Sequence, residues 1–203
     1  MTKAIVFDMG GVLLNLDIQR CIGAFKQKAG FADIEDYLDI YHQKGFIGEL
    51  EEGKIGEEEF YRECLAHCAP GTSRETVHEC FVGLLDGLNV PVLEVLRQLR
   101  GRFSLYLLTN NNPISHKAFD AMMLEQGLAS EEVFTRQFYS YEMKMQKPSL
   151  PIFLEATRQI GCLPGEIIFV DDSPNNVRGA QAAGWKTILY TPSTDIIKEI
   201  ESL

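Results

Sequence analysis

Three uninterrupted apolar runs stand out along the chain: Ala4-Ile5-Val6-Phe7, Leu105-Tyr106-Leu107-Leu108 and Ile167-Ile168-Phe169-Val170. None alternates polar with apolar residues, and each is too short for a buried helix. They therefore predict strands covered on both faces, as in the middle of a parallel sheet. Gln137-Phe138-Tyr139-Ser140 and Trp185-Lys186-Thr187-Ile188-Leu189-Tyr190 predict two further short strands. Between them the period changes to that of helices. After Pro91, Val92, Val95, Leu96 and Leu99 share one helical face; a helix passes through Phe119 and Met122; another covers 152–160; a fourth runs from Val177 to Ala183 and stops at Gly184. The tail beyond Pro192 predicts one more short helix. Strands alternating with helices in this way specify an α/β fold with a Rossmann-like parallel sheet core.

One stretch breaks the alternation. From Asp17 to Asn89 the apolar residues fall at three- and four-residue spacings, as in Ile18, Cys21, Ile22 and Phe25, with breaks near Gly30, Gly45, Gly53 and Pro70-Gly71. About four short helices are expected there, so the reading is an α-helical cap at 16–89 inserted into a core made of 1–15 and 90–203. Gly53-Lys54-Ile55-Gly56 reads as a turn, and Glu57-Glu58-Glu59 as the acidic first turn of the next helix, where carboxylates meet the positive end of the helix dipole. Such a run ordinarily forms a solvated face.

Composition narrows the partners. With 203 residues, 45% hydrophobic and 24% charged, the chain suits one well-cored domain with an insertion. A net charge of -10 with no Lys/Arg run argues against a nucleic-acid partner. It leaves room for a small phosphorylated metabolite, because a metal ion and local cations can reverse the field inside a cleft. No stretch nears the roughly 20 apolar residues of a membrane span, and Met-Thr-Lys leads straight into the first strand; a cytoplasmic protein without a membrane partner is expected. The five cysteines are odd in number and contain no C-x-x-C pair, so no disulfide framework is expected. Cys64, His67 and Cys68 have a spacing that zinc could use, although it equally marks one buried helix face. Monomer and homodimer are both compatible with the sequence.

The chemistry lies just after the predicted strands. Asp8 follows the first, with Gly10-Gly11 behind it; Thr109-Asn110 follows the second; Lys147 stands before Pro148, which holds it extended; Asp171-Asp172-Ser173 follows the third. In a parallel sheet these positions converge on one crevice. Adjacent carboxylates such as Asp171 and Asp172 repel each other unless a cation sits beside them. Together the residues make a phosphoryl-transfer set, with Asp8 as nucleophile and metal ligand and Asp172 as a second ligand, beside Asp171, for a hard cation such as Mg²⁺. Thr109, Asn110 and Lys147 would hold phosphate oxygens. In the insertion, Asp17, Arg20 and His42 are polar candidates for substrate contact, and each reads as well as an ordinary surface residue.

The motifs Phe7-Asp8-Met9-Gly10-Gly11-Val12, Leu108-Thr109-Asn110, Lys147-Pro148 and Val170-Asp171-Asp172-Ser173, followed by Asn176 and Gly179-Ala180, resemble in this order the haloacid dehalogenase-like hydrolase superfamily. The resemblance spans nearly the whole chain, and the helical insertion is similar to the cap of that superfamily's phosphatase branch. Asp8-x-Gly10-x-Val12 and Glu52-Gly53-Lys54-Ile55 most resemble its bacterial sugar-1-phosphate phosphatases. The resemblance implies an Mg²⁺-dependent phosphatase working through an aspartyl-phosphate on Asp8, a cap that closes over the substrate, and a metal-ligating carbonyl at Gly10.

One position departs from the pattern. The family usually carries a second aspartate two residues after the nucleophile as general acid and base, and here that residue is Gly10. General acid catalysis is typically worth about 10²–10⁴-fold. Its loss favours a leaving group more acidic than a simple alcohol, so a hexose 1-phosphate or similarly activated ester is the expected substrate. Three other readings compete: a catalytically weak relative that binds a phosphorylated ligand or a protein, a phosphoacceptor signalling domain, and a 2-haloacid dehalogenase. The order of the acids and the large insertion disfavour the second, and the paired aspartates disfavour the third.

Overall fold

Strand β1 (Ala4–Phe7) is buried along its whole length because a parallel strand pairs with it on either side. The computed structural model of the chain describes residues 2–39 and 43–203, so His42 lies outside the described residues. The remaining strands are β2 (Leu14–Leu16), β3 (Leu85–Leu88), β4 (Ser104–Thr109), β5 (Arg136–Tyr139), β6 (Ile167–Asp171) and β7 (Lys186–Leu189). Five of them form a parallel sheet in the order β5-β4-β1-β6-β7. The register sets Phe7 level with Leu107 on β4 and Val170 on β6. The residues that follow, Asp8, Thr109 and Asp171, therefore finish on one edge. β4 and β6 also lie on opposite sides of β1, so the crevice opens where the winding reverses.

Alternate residues of each strand divide between two cores, as a pleated sheet requires. Ile5, Phe7, Leu105, Leu107, Ile168 and Val170 face helices Val90–Leu99, Pro113–Glu125 and Ile196–Ser202. Ala4, Val6, Tyr106, Leu108, Ile167 and Phe169 face helices Leu150–Ile160 and Pro174–Ala182, together with Trp185. Among the described residues no helix is long and apolar enough to cross a membrane.

The stretch after β2 is helical as expected: Ile18–Ala24, extended by wider turns over Phe25–Ala29, then Gly45–Glu51, Glu57–His67 and Arg74–Val82. Gly45 marks a boundary, as the first residue of a helix. The helical reading fails at the far end of the stretch, where β3 pairs antiparallel with β2, the short strand just before the stretch. These strands have only two leucines each, too few for any period to register. They form a stem beneath the insertion, and Arg20 braces it, donating to the carbonyls of Gly83 (2.8 Å) and Leu85 (2.9 Å) and pairing with Asp86. Asp17 caps the first helix by accepting from the Arg20 N–H at 2.9 Å. Both polar candidates thus act in the scaffold.

The inserted helices enclose an aromatic core of their own, in which Phe60 and Phe81 lie 4.6 Å apart and Phe31 stacks on His67 at 4.8 Å. Cys21, Cys64 and Cys80 are buried within it as free thiols. Cys68 Sγ donates to the Cys64 carbonyl, and these residues with His67 make no metal-binding group among the described residues. The acidic turn is paired, Glu57 with Lys117 at 2.6 Å and Glu58 with Arg74 at 2.7 Å.

Gly179 shows how closely helix Pro174–Ala182 packs on Pro148 and Phe153. A Cβ there would stand 2.5 Å from the Pro148 carbonyl and 2.8 Å from Phe153. Gly179→Ala is expected to destabilise the protein by about 1–3 kcal/mol through this overpacking. Gly23→Ala, in a helix where an added Cβ meets nothing within 4 Å, should instead stabilise by about 0.5–1 kcal/mol. Urea denaturation of the two variants measures both.

Candidate active site

Lys147 is at the centre of the site and is only 1% exposed. Its Nζ lies 2.8 Å from Asp8 Oδ1 and 2.7 Å from Asp171 Oδ2. Burial alone would lower the Lys147 pKa, yet the Asp171 and Asp8 carboxylates outweigh it and the pKa is raised. For Asp8, burial raises the pKa most; Lys147 opposes the shift, and Asp171 adds to it. The Met9 N–H also donates to Asp8 Oδ1 at 2.7 Å, which fixes the carboxylate at the end of β1.

The lysine is held by its backbone as well. Lys147 N–H donates to Asn110 Oδ1 and Asn110 Nδ2 donates back to the Lys147 carbonyl, both at 2.9 Å. The sequence reading placed the Asn110 side chain on phosphate. The structure gives its oxygen and one amide hydrogen to this clamp, leaving the other hydrogen for a ligand. Thr109 is 1% exposed at the end of β4, and its hydroxyl contacts the Asn110 carbonyl at 3.3 Å.

The paired aspartates have different surroundings. Asp171 is fully buried; its Oδ1 accepts from the Ser173 N–H at 2.8 Å, and Asn176 Nδ2 lies 3.1 Å from both oxygens. With Lys147 on Oδ2 its acceptor capacity is well used. Asp172 is half-buried, and its carboxylate lies over Gly11, where a Cβ would collide with Oδ2. Gly11 has φ +73°, so this position needs glycine on both counts. Burial and the Asp171 charge push the Asp172 carboxyl up to about 6.

Oxygen atoms of Asp8, Asp171 and Asp172 lie within 4.8 Å of one another, the one such group among the described residues. Asp8 and Asp171 contact the one ammonium and Asp172 lies beside them, which leaves the site strongly negative when all are ionised. Hard oxygen donors, surplus negative charge and the side-chain-free cradle at Gly11 fit a small hard cation.

Asp8, Lys147 and Asp172 line a cavity of about 330 Å³, with Asp171 buried behind them. The insertion supplies its other wall, with apolar Leu38, Ile47, Phe81 and Leu84 and polar Gln43 and Glu51. Asp17 and Arg20 do not line it among the described residues. Glu51 was not singled out by the sequence, where it is one acid among several. Burial and the negative charge of Asp8 push its carboxyl up to about 8. Gly10 lines the cavity beside Asp8.

The geometry has close counterparts. The haloacid dehalogenase-like hydrolase model matches residues 2–184. A D-ribitol-5-phosphate phosphatase of Bacteroides thetaiotaomicron is 31% identical over 98% of this chain and 97% of its own length. A sesquiterpene phosphatase of Aspergillus oryzae is 28% identical over 99% and 96%. Among solved structures, a wild-type HAD family enzyme of B. thetaiotaomicron in complex with magnesium and inorganic phosphate superposes with a TM-score of 0.88 at 32% identity, covering 96% of this chain and 97% of that one. From its sheet order, its acidic strand ends and these likenesses, the chain belongs to the haloacid dehalogenase-like hydrolase family.

Proposed function

We propose that the protein is an Mg²⁺-dependent phosphatase of a small sugar or polyol phosphate. The observation that carries this reading is the meeting of Asp8, Asp171 and Asp172 around Lys147 at the ends of the central strands. A halide pocket has no use for three carboxylates, which speaks against a dehalogenase. The D-ribitol-5-phosphate phosphatase supports a polyol or sugar phosphate, and the complex with magnesium and phosphate supports the metal.

Asp8, Asp172 and the Gly10 carbonyl would hold the ion, while Asp171, occupied by Lys147, Ser173 and Asn176, orients the lysine. When bound, Mg²⁺ offsets the charge of the incoming phosphate and of the transition state. The Asp8 carboxylate attacks phosphorus in line, and Lys147 neutralises a phosphate oxygen as the ester bond breaks. Thr109, the remaining Asn110 hydrogen and main-chain N–H groups at the end of β4 orient the phosphate. Water then cleaves the phospho-Asp8 intermediate. The apolar wall of the insertion excludes bulk water from this cycle.

Phosphate release from a panel containing D-ribitol 5-phosphate, hexose 1-phosphates and hexose 6-phosphates should require Mg²⁺, stop with EDTA, and be abolished by Asp8→Asn. Retention of turnover in Asp8→Asn would exclude the aspartyl-phosphate route. The metal can be tested without turnover. A ligand at 100 times its Kd stabilises the fold by about 2.7 kcal/mol. Mg²⁺ should therefore raise the melting temperature of the wild type by several degrees. Asp172→Asn removes a repelling charge and a ligand together, so the variant should melt higher than wild type without Mg²⁺ and respond little to its addition.

A further inference from the structure

We infer that Glu51, carried by the insertion, is the acid and base of this site and performs the proton transfers that Gly10 cannot. The inference rests on the phosphatase reading above and names the group that completes it.

Position is the first ground. Glu51 is the last residue of the helix Gly45–Glu51 and lines the same cavity as Asp8, Lys147, Thr109 and Asp172. Among the described residues its carboxyl has no hydrogen bond and no ion pair, although the helix ends against the core. Its oxygens are not sealed from the cavity, so they are free to meet a bound ligand.

Anchorage is the second. Ser140, fully buried after β5, donates from Oγ to the Glu51 carbonyl at 2.7 Å and receives the Asn111 N–H at 3.0 Å. Two residues on, Lys144 Nζ donates to the Gly53 carbonyl, and Gly53 packs so closely on the Tyr141 carbonyl that a Cβ would not fit. The backbone at Glu51 is thus fixed to the loop that also fixes the end of β4. That placement is tighter than the insertion's own helices would give.

The chemistry balances. In the first step an Asp8 oxygen bonds to phosphorus, the bond from phosphorus to the alcohol oxygen breaks, and the Glu51 carboxyl gives that oxygen its proton. In the second, the Glu51 carboxylate takes a proton from water as the water oxygen bonds to phosphorus and the bond to Asp8 breaks, restoring both carboxyl groups. With this group present, a primary alkoxide can leave, and the activated ester expected from Gly10 alone is no longer required.

The test compares an alkyl ester, D-ribitol 5-phosphate, with p-nitrophenyl phosphate, whose leaving group needs no proton. Glu51→Gln keeps shape and loses the exchangeable proton. It should lower kcat/KM for the alkyl ester by about 10²–10⁴-fold and leave kcat/KM for the aryl ester nearly unchanged. Because the second step also loses its base, the aryl ester should release p-nitrophenolate in a burst equal to the enzyme concentration. Calorimetric binding of inorganic phosphate with Mg²⁺ checks that the variant is folded. In Glu51→Ala, added formate should restore part of the alkyl-ester rate and none of the small aryl-ester loss. An equal fall of kcat/KM on both esters without a burst, or no fall on either, would overturn the assignment while leaving the phosphatase reading intact. If the wild type hydrolysed neither ester, both readings would fall.

Discussion

The buried ammonium of Lys147 is the interaction on which the site depends. Removing a charge from water costs several kcal/mol per ion, and only close partners offset it. Here the partners are carboxylates that end two neighbouring strands, β1 and β6, while the Asn110 clamp ties the lysine backbone to a third, β4. Each of those strands is placed by its own burial, so hydrophobic packing along the sheet delivers the charges to within hydrogen-bonding distance of one another. Loss of the Lys147 ammonium would leave the Asp8 and Asp171 carboxylates without this cation inside the protein. The arrangement is nonetheless unbalanced in sign: a third carboxylate, Asp172, has no cation. That residual charge makes the fold receptive to a hard cation, and through it to a phosphate dianion that a protein of net charge -10 would otherwise repel.

The insertion meets the core through a narrow stem and a few specific contacts. The β2–β3 ladder and Arg20 hold its base, and the Glu57–Lys117 pair and the Ser140 and Lys144 contacts hold its far side. Its aromatic cluster gives it an interior largely separate from the two sheet-facing cores, with Ile114 the buried core residue packed among it. Bulky side chains facing the cavity, such as Ile47 and Phe81, can therefore change with little disturbance to the sheet. The phosphate chemistry and the substrate wall are structurally separable for that reason.

Much of this was legible in the sequence because burial on both faces writes itself as continuous apolar runs. β1, β4 and β6 were found that way, and the polar residues that end them identified the edge where chemistry occurs. What was illegible falls into two kinds. β2 and β3 escaped because two leucines separated by polar residues carry no period; their pairing is a long-range event that closes the insertion. Asp17 and Arg20 stood open between substrate contact and an ordinary surface role, and the clamp from Asn110 to Lys147 was not foreseen, because polarity alone does not distinguish a group that meets a substrate from one that meets a backbone carbonyl. Only the partner decides, and the partner is distant in sequence for Arg20 and Asn110. Asp171 and Asp172 show the limit most sharply: adjacent and identical, they diverge because one points into the Lys147 and Asn176 network and the other lies over Gly11.

Glycine at positions 10 and 11 also explains why a proton-transferring group belongs elsewhere. Gly11 is committed to the Asp172 cradle, and a Cβ on Gly10 would approach Leu16 Cδ1 to 3.1 Å, on the stem strand itself. The loop after β1 is thus shaped around Asp172 at Gly11, while at Gly10 the near neighbour is the end of the exposed Leu16 side chain. The helix Gly45–Glu51 brings Glu51 from the insertion to the cavity that Asp8 also lines. In an in-line displacement the leaving oxygen departs on the side of the phosphorus away from the Asp8 oxygen, and the first proton must reach it there. The wall that selects the alcohol then also protonates it, and substrate choice and leaving-group activation become properties of one segment of the chain.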